Sequence, residues 1–179
     1  MRLPYLLPLA LIACGETQYF APPPVTTDTR IAVAASTVMV NEVSMPEYAI
    51  NQEIPIQQPD GSLTTDGDRL WADLPDRALQ VSLARHLNTI TDAQVAVEPW
   101  PLTGFPDREV TVTVQDMIVQ VDGRLRFTGS YAIRNDVSRR GRIETFTLFA
   151  PVTVPGYTGI IAAHEAVWLA LAEQIAPQL

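Results

Sequence analysis

The stretch from Arg108 to Val121 limits most strongly what this chain can fold into. Val110, Val112 and Val114 alternate with Thr111, Thr113 and Gln115, so an extended segment carries one apolar side and one polar side. Asp122-Gly123 is a tight-turn pair, and Arg124 to Arg134 brings the chain back alongside. A polar loop, Asn135 to Gly141, leads into a third extended segment, Arg142 to Val154. A three-stranded meander with one apolar face needs a second layer to cover that face.

Two helical segments can supply the cover. Asp73 to Ile90 places Leu79, Leu83, Leu87 and Ile90 on one stripe, with Arg77, Arg85 and Asn88 away from it. Asp73 is placed to cap this helix, and Pro75 is tolerated in its first turn. Tyr157 to Ile175 puts Ile160, Ile161, Val167, Trp168, Leu171 and Ile175 on one face. Ahead of the meander, Ile31 to Val40 reads as a buried strand. Glu53 to Gln58 and Ser62 to Thr65 read as a hairpin across Pro59-Asp60-Gly61, and Gln94 to Trp100 as a short strand ending at prolines. The order of strands, helix, strands, helix predicts an α+β, two-layer fold. Its sheet is mixed and mostly antiparallel, with both helices packed on one face.

The N-terminus carries a different signal. Arg2 is followed by Leu3, Leu6, Leu7, Leu9, Ala10, Leu11 and Ile12, an apolar run too short to span a bilayer and typical of a secretory signal. It closes on Leu11-Ile12-Ala13-Cys14, the pattern of a bacterial lipobox, and Cys14 is the only cysteine in the chain. Sulfur is the nucleophile that takes a diacylglyceryl group, and a small residue before it suits the peptidase. Cys14 is therefore the expected lipidation site, and about 0.8 kcal/mol per buried methylene makes several acyl chains a near-permanent anchor. Gly15 in place of an aspartate favours the outer membrane, on its periplasmic face. The expected organisation is a signal peptide over 1–13, an acylated cysteine and Pro-rich spacer over 14–29, and one periplasmic domain over 30–179. Tyr19-Phe20, inside the spacer, can form a first short edge strand.

Composition narrows the partners. The formal net charge is -8 and all 12 basic residues are arginine, so an acidic chain of this kind is a poor nucleic-acid binder. The same charge disfavours attachment to anionic headgroups, so any membrane contact should come from the acyl chains.

No pattern assembles an enzyme site or a cofactor site. His164-Glu165 is not a zinc motif, because Trp168 stands where a second histidine is needed. His164 falls in the apolar stripe of the last helix and reads as a core or interface histidine, and His86 reads as a surface residue. Asp60, Asp66 and Asp68 bracket a turn and lack the alternate carboxylates of a calcium loop. Ser44, Ser62, Ser82, Ser130 and Ser138 have no nucleophile context. No catalytic residue, metal ligand or cofactor is expected. Trp71 and Trp100 flank the first helix and either fill the core or form an aromatic rim for a partner protein or lipid. Tyr48, beside Pro46 in a segment that reads as an exposed loop, is a third partner-binding candidate.

Several segments, taken in order, resemble the ABC-type transport auxiliary lipoproteins. They are Tyr19-Phe20 after the lipobox, the IAVAAS segment from Ile31, Met45-Pro46-Glu47-Tyr48, and Arg69-Leu70-Trp71-Ala72 leading into a helix. Val97-Glu98-Pro99-Trp100-Pro101, the alternating strand from Val110, and Ala162-Ala163-His164 through Leu171-Ala172-Glu173-Gln174-Ile175-Ala176 complete the pattern. The resemblance implies a non-enzymatic lipoprotein. It would serve an ABC permease and a substrate-binding protein of the mammalian-cell-entry (MCE) type in moving lipid between membranes, as a monomer or a homo-oligomer. The alternative from a different class is an envelope lipoprotein that binds polysaccharide or assembly proteins with no transporter. An envelope hydrolase would need a nucleophile, base and orienting group that the motifs do not supply.

Overall fold

The long strand β7, Arg108–Val119, is the spine of the molecule in this computed structural model, which describes residues 16–23, 26–135 and 140–179. One edge of β7 pairs antiparallel with β8, Arg124–Asn135, which pairs in turn with β9, Arg140–Pro151. The other edge is shared. Near its start lies β2, Thr37–Val40, and at its end β3, Ile56–Gln57, both parallel to it, with Ser44 bridging Thr113 between them. The strand β6, Gln94–Val97, adds parallel to β2, and β4, Leu63–Thr64, closes the hairpin with β3. The sheet is mixed: parallel pairings join its short strands, and the antiparallel meander carries the long ladders.

The layers follow from side-chain parity. Val110, Val112 and Val114 face inward with Leu125, Phe127, Tyr131 and Phe146. The helices α2, Pro75–Ile90, and α3, Tyr157–Ile175, cover this face and pack on each other. Leu79, Leu83, Leu87 and Ile90 are fully buried, as the stripe predicts, and so are Trp168, Leu171 and Ile175. The α+β two-layer reading holds. On the opposite face, Thr111, Thr113, Thr145 and Thr147 are exposed.

Several local readings change. Of the segment from Ile31 to Val40, only Thr37–Val40 is strand, because only there do β6 and β7 flank it on both sides. Ile31 makes a single bridge to Thr91. The cap of α2 is Leu74, with no side-chain cap bond. Asp73 instead accepts from the Leu74 amide at 2.9 Å and pairs with Arg77. Tyr48 is not in an exposed loop. It lies in a one-turn helix, α1, Glu47–Ile50, and is half-buried.

The spacer is the largest correction. The strand β1, Gln18–Phe20, pairs parallel with β5, Arg69–Trp71. Phe20 lies 5.7 Å from the Tyr157 ring, centroid to centroid. Thr29 Oγ1 donates to Glu173 at 3.1 Å, and the Ile31 amide donates to the Ile90 carbonyl at 2.7 Å. The folded unit therefore begins at Gln18 rather than near residue 30. The signal segment and Cys14 lie outside the described residues.

Candidate functional site

Three of the sequence-derived candidates can be placed, and the structure does not bring them together. Trp71 is only 1% exposed. Its ring stacks on Trp168 at 5.6 Å, and His164 meets it edge-on at 4.9 Å. Trp71 is thus a core filler and not part of an aromatic rim. Tyr48 turns its hydroxyl inward, donating to Asp116 Oδ1 at 3.2 Å and accepting from the Met117 amide at 3.4 Å. Burial raises the Tyr48 pKa, and the nearby Asp116 carboxylate adds to this. It ties α1 to β7 where the register of β7 shifts between Val114 and Asp116. Trp100 is half-buried, its indole N–H covered and without a hydrogen-bond partner.

The loop that carries Trp100 contains residues that sequence reasoning missed. Leu102 is exposed and Phe105 is 82% exposed, beside Gly104 in the left-handed region (φ 84°). A protruding aromatic between prolines is the available signal, since such a residue has no core to enter. Asp107 fixes the end of this loop. Desolvation works to raise its pKa, but amide hydrogen bonds from Ser36 and Thr37, at 2.9 and 3.0 Å, pull it below the ordinary value.

His86 is the clearest reversal. It is fully buried, not on the surface. Its Nε2 lies 3.1 Å from Glu165 Oε1 and 3.2 Å from Ser82 Oγ. Ser82 donates to Glu165 Oε2 at 3.0 Å, and Arg85 Nη2 donates to Glu165 Oε1 at 3.1 Å. Serine, histidine and carboxylate thus meet between α2 and α3. A hydrolytic relay needs the serine on Nε2 and the carboxylate on Nδ1. Here both partners crowd Nε2, Nδ1 is buried and unpartnered, and Ser82 is buried. The cluster as built clamps two helices and presents no nucleophile.

His164 is equally deep. Its Nδ1–H donates to the Ile160 carbonyl at 2.8 Å, and burial lowers its pKa to about 4, so the imidazole is neutral near pH 7. Among the described residues no group of three or more His, Cys, Asp or Glu side chains could hold a metal, and no helix is long and apolar enough to cross a membrane.

Other features lie at the surface. At the end of the molecule where α3 finishes, a cleft of about 390 Å³ is lined by Arg108, Ile133, Asn135, Arg142, Pro177 and Gln178. Arg108 reaches the Asp107 carbonyl at 2.9 Å, and Arg142 pairs with Glu144 at 3.2 Å. Both guanidinium groups in the lining therefore meet an acceptor of their own chain. The outer edge of β9 carries Ile143, 76% exposed, and Phe149, whose ring lies 5.1 Å from the Arg124 guanidinium.

Comparison with known proteins extends these observations. Residues 20–176 match the family model described as the ABC-type transport auxiliary lipoprotein component. No curated protein matches the chain. Among solved structures it is similar to an uncharacterized protein with a TM-score of 0.75 and 19% identity, over 92% of this chain and 99% of that one. A protein of Xanthomonas campestris is similar with a TM-score of 0.66 and 16% identity, over 90% and 94%. The PelC dodecamer of Paraburkholderia phytofirmans is similar with a TM-score of 0.50 and 12% identity, over 91% and 98%.

Proposed function

This chain belongs to the family of ABC-type transport auxiliary lipoprotein components, and from that premise we propose that it is a lipid-anchored accessory subunit of an ABC system that moves lipid between the two membranes of the envelope. The observation that carries the proposal is the family match, which runs from β1 to the end of α3 and leaves out only the termini. In this reading Cys14 is acylated and holds the domain on the periplasmic face of the outer membrane. The domain then engages an MCE-type substrate-binding protein and the permease of the same system.

The role is one of binding rather than chemistry. The polar residues that meet in the interior are consumed in holding α2 to α3, and the features at the surface include the Arg108–Arg142 cleft, the Leu102–Phe105 loop and the Ile143–Phe149 edge of β9. Self-association belongs to the proposal as well, since a protein of similar fold, PelC of P. phytofirmans, is a dodecamer.

The test is co-purification. The tagged, acylated chain is drawn from detergent-solubilised envelopes, and the eluate is analysed for protein and lipid. Recovery of an ABC permease and an MCE-type protein supports the proposal. Recovery of polysaccharide-synthesis or assembly proteins without transporter subunits replaces it with the alternative.

A further inference from the structure

Resting on the reading of Cys14 as the acylated residue, we propose that the domain sits directly on the bilayer surface by its Gln18 end. The axis of α3 points away from the membrane, and the Arg108–Arg142 cleft is carried at the far pole.

The first argument is tether length. Because β1 is docked on β5, the first backbone tie to the fold is the Gln18 amide, which donates to the Asp68 carbonyl at 2.8 Å. From Cys14 to Gln18 the chain makes four Cα–Cα steps, which reach about 14 Å at most. A domain of this length has a radius of gyration of about 15 Å, so its diameter exceeds the tether. An extended proline-rich spacer would stand the domain off the bilayer, and a segment docked on the fold does not.

The second argument is direction. Phe20 lies against Tyr157, the first residue of α3, while Thr29 bonds Glu173 near its last turn. The N-terminal segment therefore runs along α3 from start to finish. The 19 residues of α3 give it a length of about 28 Å. Phe20, two residues after Gln18, lies against the start of that axis, and Pro177 and Gln178 in the cleft wall lie beyond its end.

The third argument is the chemistry of the near pole. Tyr19 is 63% exposed and Val154 is exposed, the one amphipathic and the other small and apolar. Tyrosine suits a headgroup layer because its ring is apolar and its tip polar. Glu16 and Asp68 are exposed there too, so charge does not draw this pole onto anionic lipid. The tether and the aromatic residue set the orientation.

The test uses the acylated chain reconstituted in vesicles of phosphatidylethanolamine and phosphatidylglycerol. Cys14 is the only native cysteine, and once acylated its sulfur does not react, so an introduced thiol can be labelled alone. Asp68→Cys and Val154→Cys report the near pole, and Ile143→Cys and Pro177→Cys the far one. Each carries a fluorophore, and the vesicles carry a nitroxide on the headgroup. The expected result is at least about a threefold loss of fluorescence at the near pole and little at the far pole. Inserting ~20 Gly/Ser residues between Gly15 and Glu16, which adds roughly 25 Å of flexible reach, should erase the difference. Equal quenching at both poles in protein that floats with the vesicles overturns the orientation. Protein that fails to float overturns the acylation reading itself.

Discussion

His164 is enclosed by the rings of Trp71 and Trp168, and that enclosure links protonation to stability. Its pKa is lowered to about 4 by burial, while the unfolded side chain titrates near 6.5. Between those values the unfolded state binds a proton that the folded state refuses. The stabilisation is complete above pH 6.5 and is lost as pH falls toward 4, by about 3 kcal/mol in all. The midpoint of urea unfolding should therefore fall between pH 7 and pH 4.5. His164→Gln should remove most of this slope while keeping the fold, since glutamine can still donate to the Ile160 carbonyl. An unchanged slope in that variant would assign the pH dependence elsewhere. Trp168 itself is 0% exposed, and Trp168→Ala should cost about 3–5 kcal/mol and lower the thermal midpoint by ~10 °C. His164 was legible in the sequence because its helix carries its own apolar stripe. His86 was not, because its cover comes from distant chain: Glu165 on α3, and Pro23 and Thr26, which line the same small pocket.

At the scale of elements, β7 shows how far periodicity carries and where it stops. The Val-Thr alternation through Val114 fixes the inward face, and the structure agrees. Beyond the register shift between Val114 and Asp116, inward positions move to Met117 and Val119, and Tyr48 bonds across the irregularity. Nothing local announces a bulge of this kind, since it is defined by its partner strand. The short strands β2, β3 and β4 have the same limit: their bounds are set by neighbours far away in sequence. Gly129 on β8 is a case where packing dictates the residue. A Cβ there would lie 2.8 Å from the Phe146 ring, and closer still to the Thr113 carbonyl. Gly129→Ala should force β7 and β9 apart and cost about 1–3 kcal/mol, a fall of roughly 2–12 °C in thermal midpoint. Gly141→Ala, whose Cβ meets only a carbonyl at 3.6 Å, is the matched control and should change little. Equal melting of the two variants would show that the sheet yields at Gly129.

For the whole molecule the decisive question is what would join a folded, acidic domain to a membrane, as the proposed function requires. Its described residues offer no spanning helix, and its net charge of -8 opposes adsorption to anionic lipid. The only cysteine lies just ahead of the first strand, at the end of an apolar run of sequence. The family match leaves this segment out, so the anchor rests on the sequence motif. A hydroxyl is a far weaker nucleophile than a thiolate, so Cys14→Ser should lose incorporation of an alkyne fatty acid completely. The variant should either accumulate as precursor or appear in the soluble periplasmic fraction. The folded unit starts at Gln18, so the thermal midpoint of a released variant should match that of the native domain within about 2 °C. Such a variant keeps every docking feature and loses only its place, so it separates anchoring from binding. Soluble Cys14→Ser protein that still captures transporter subunits from solubilised envelopes would assign recognition to the domain surface alone. Equal fatty-acid labelling of the native chain and Cys14→Ser would remove Cys14 as the anchor, and with it the short tether on which the orientation of the domain depends.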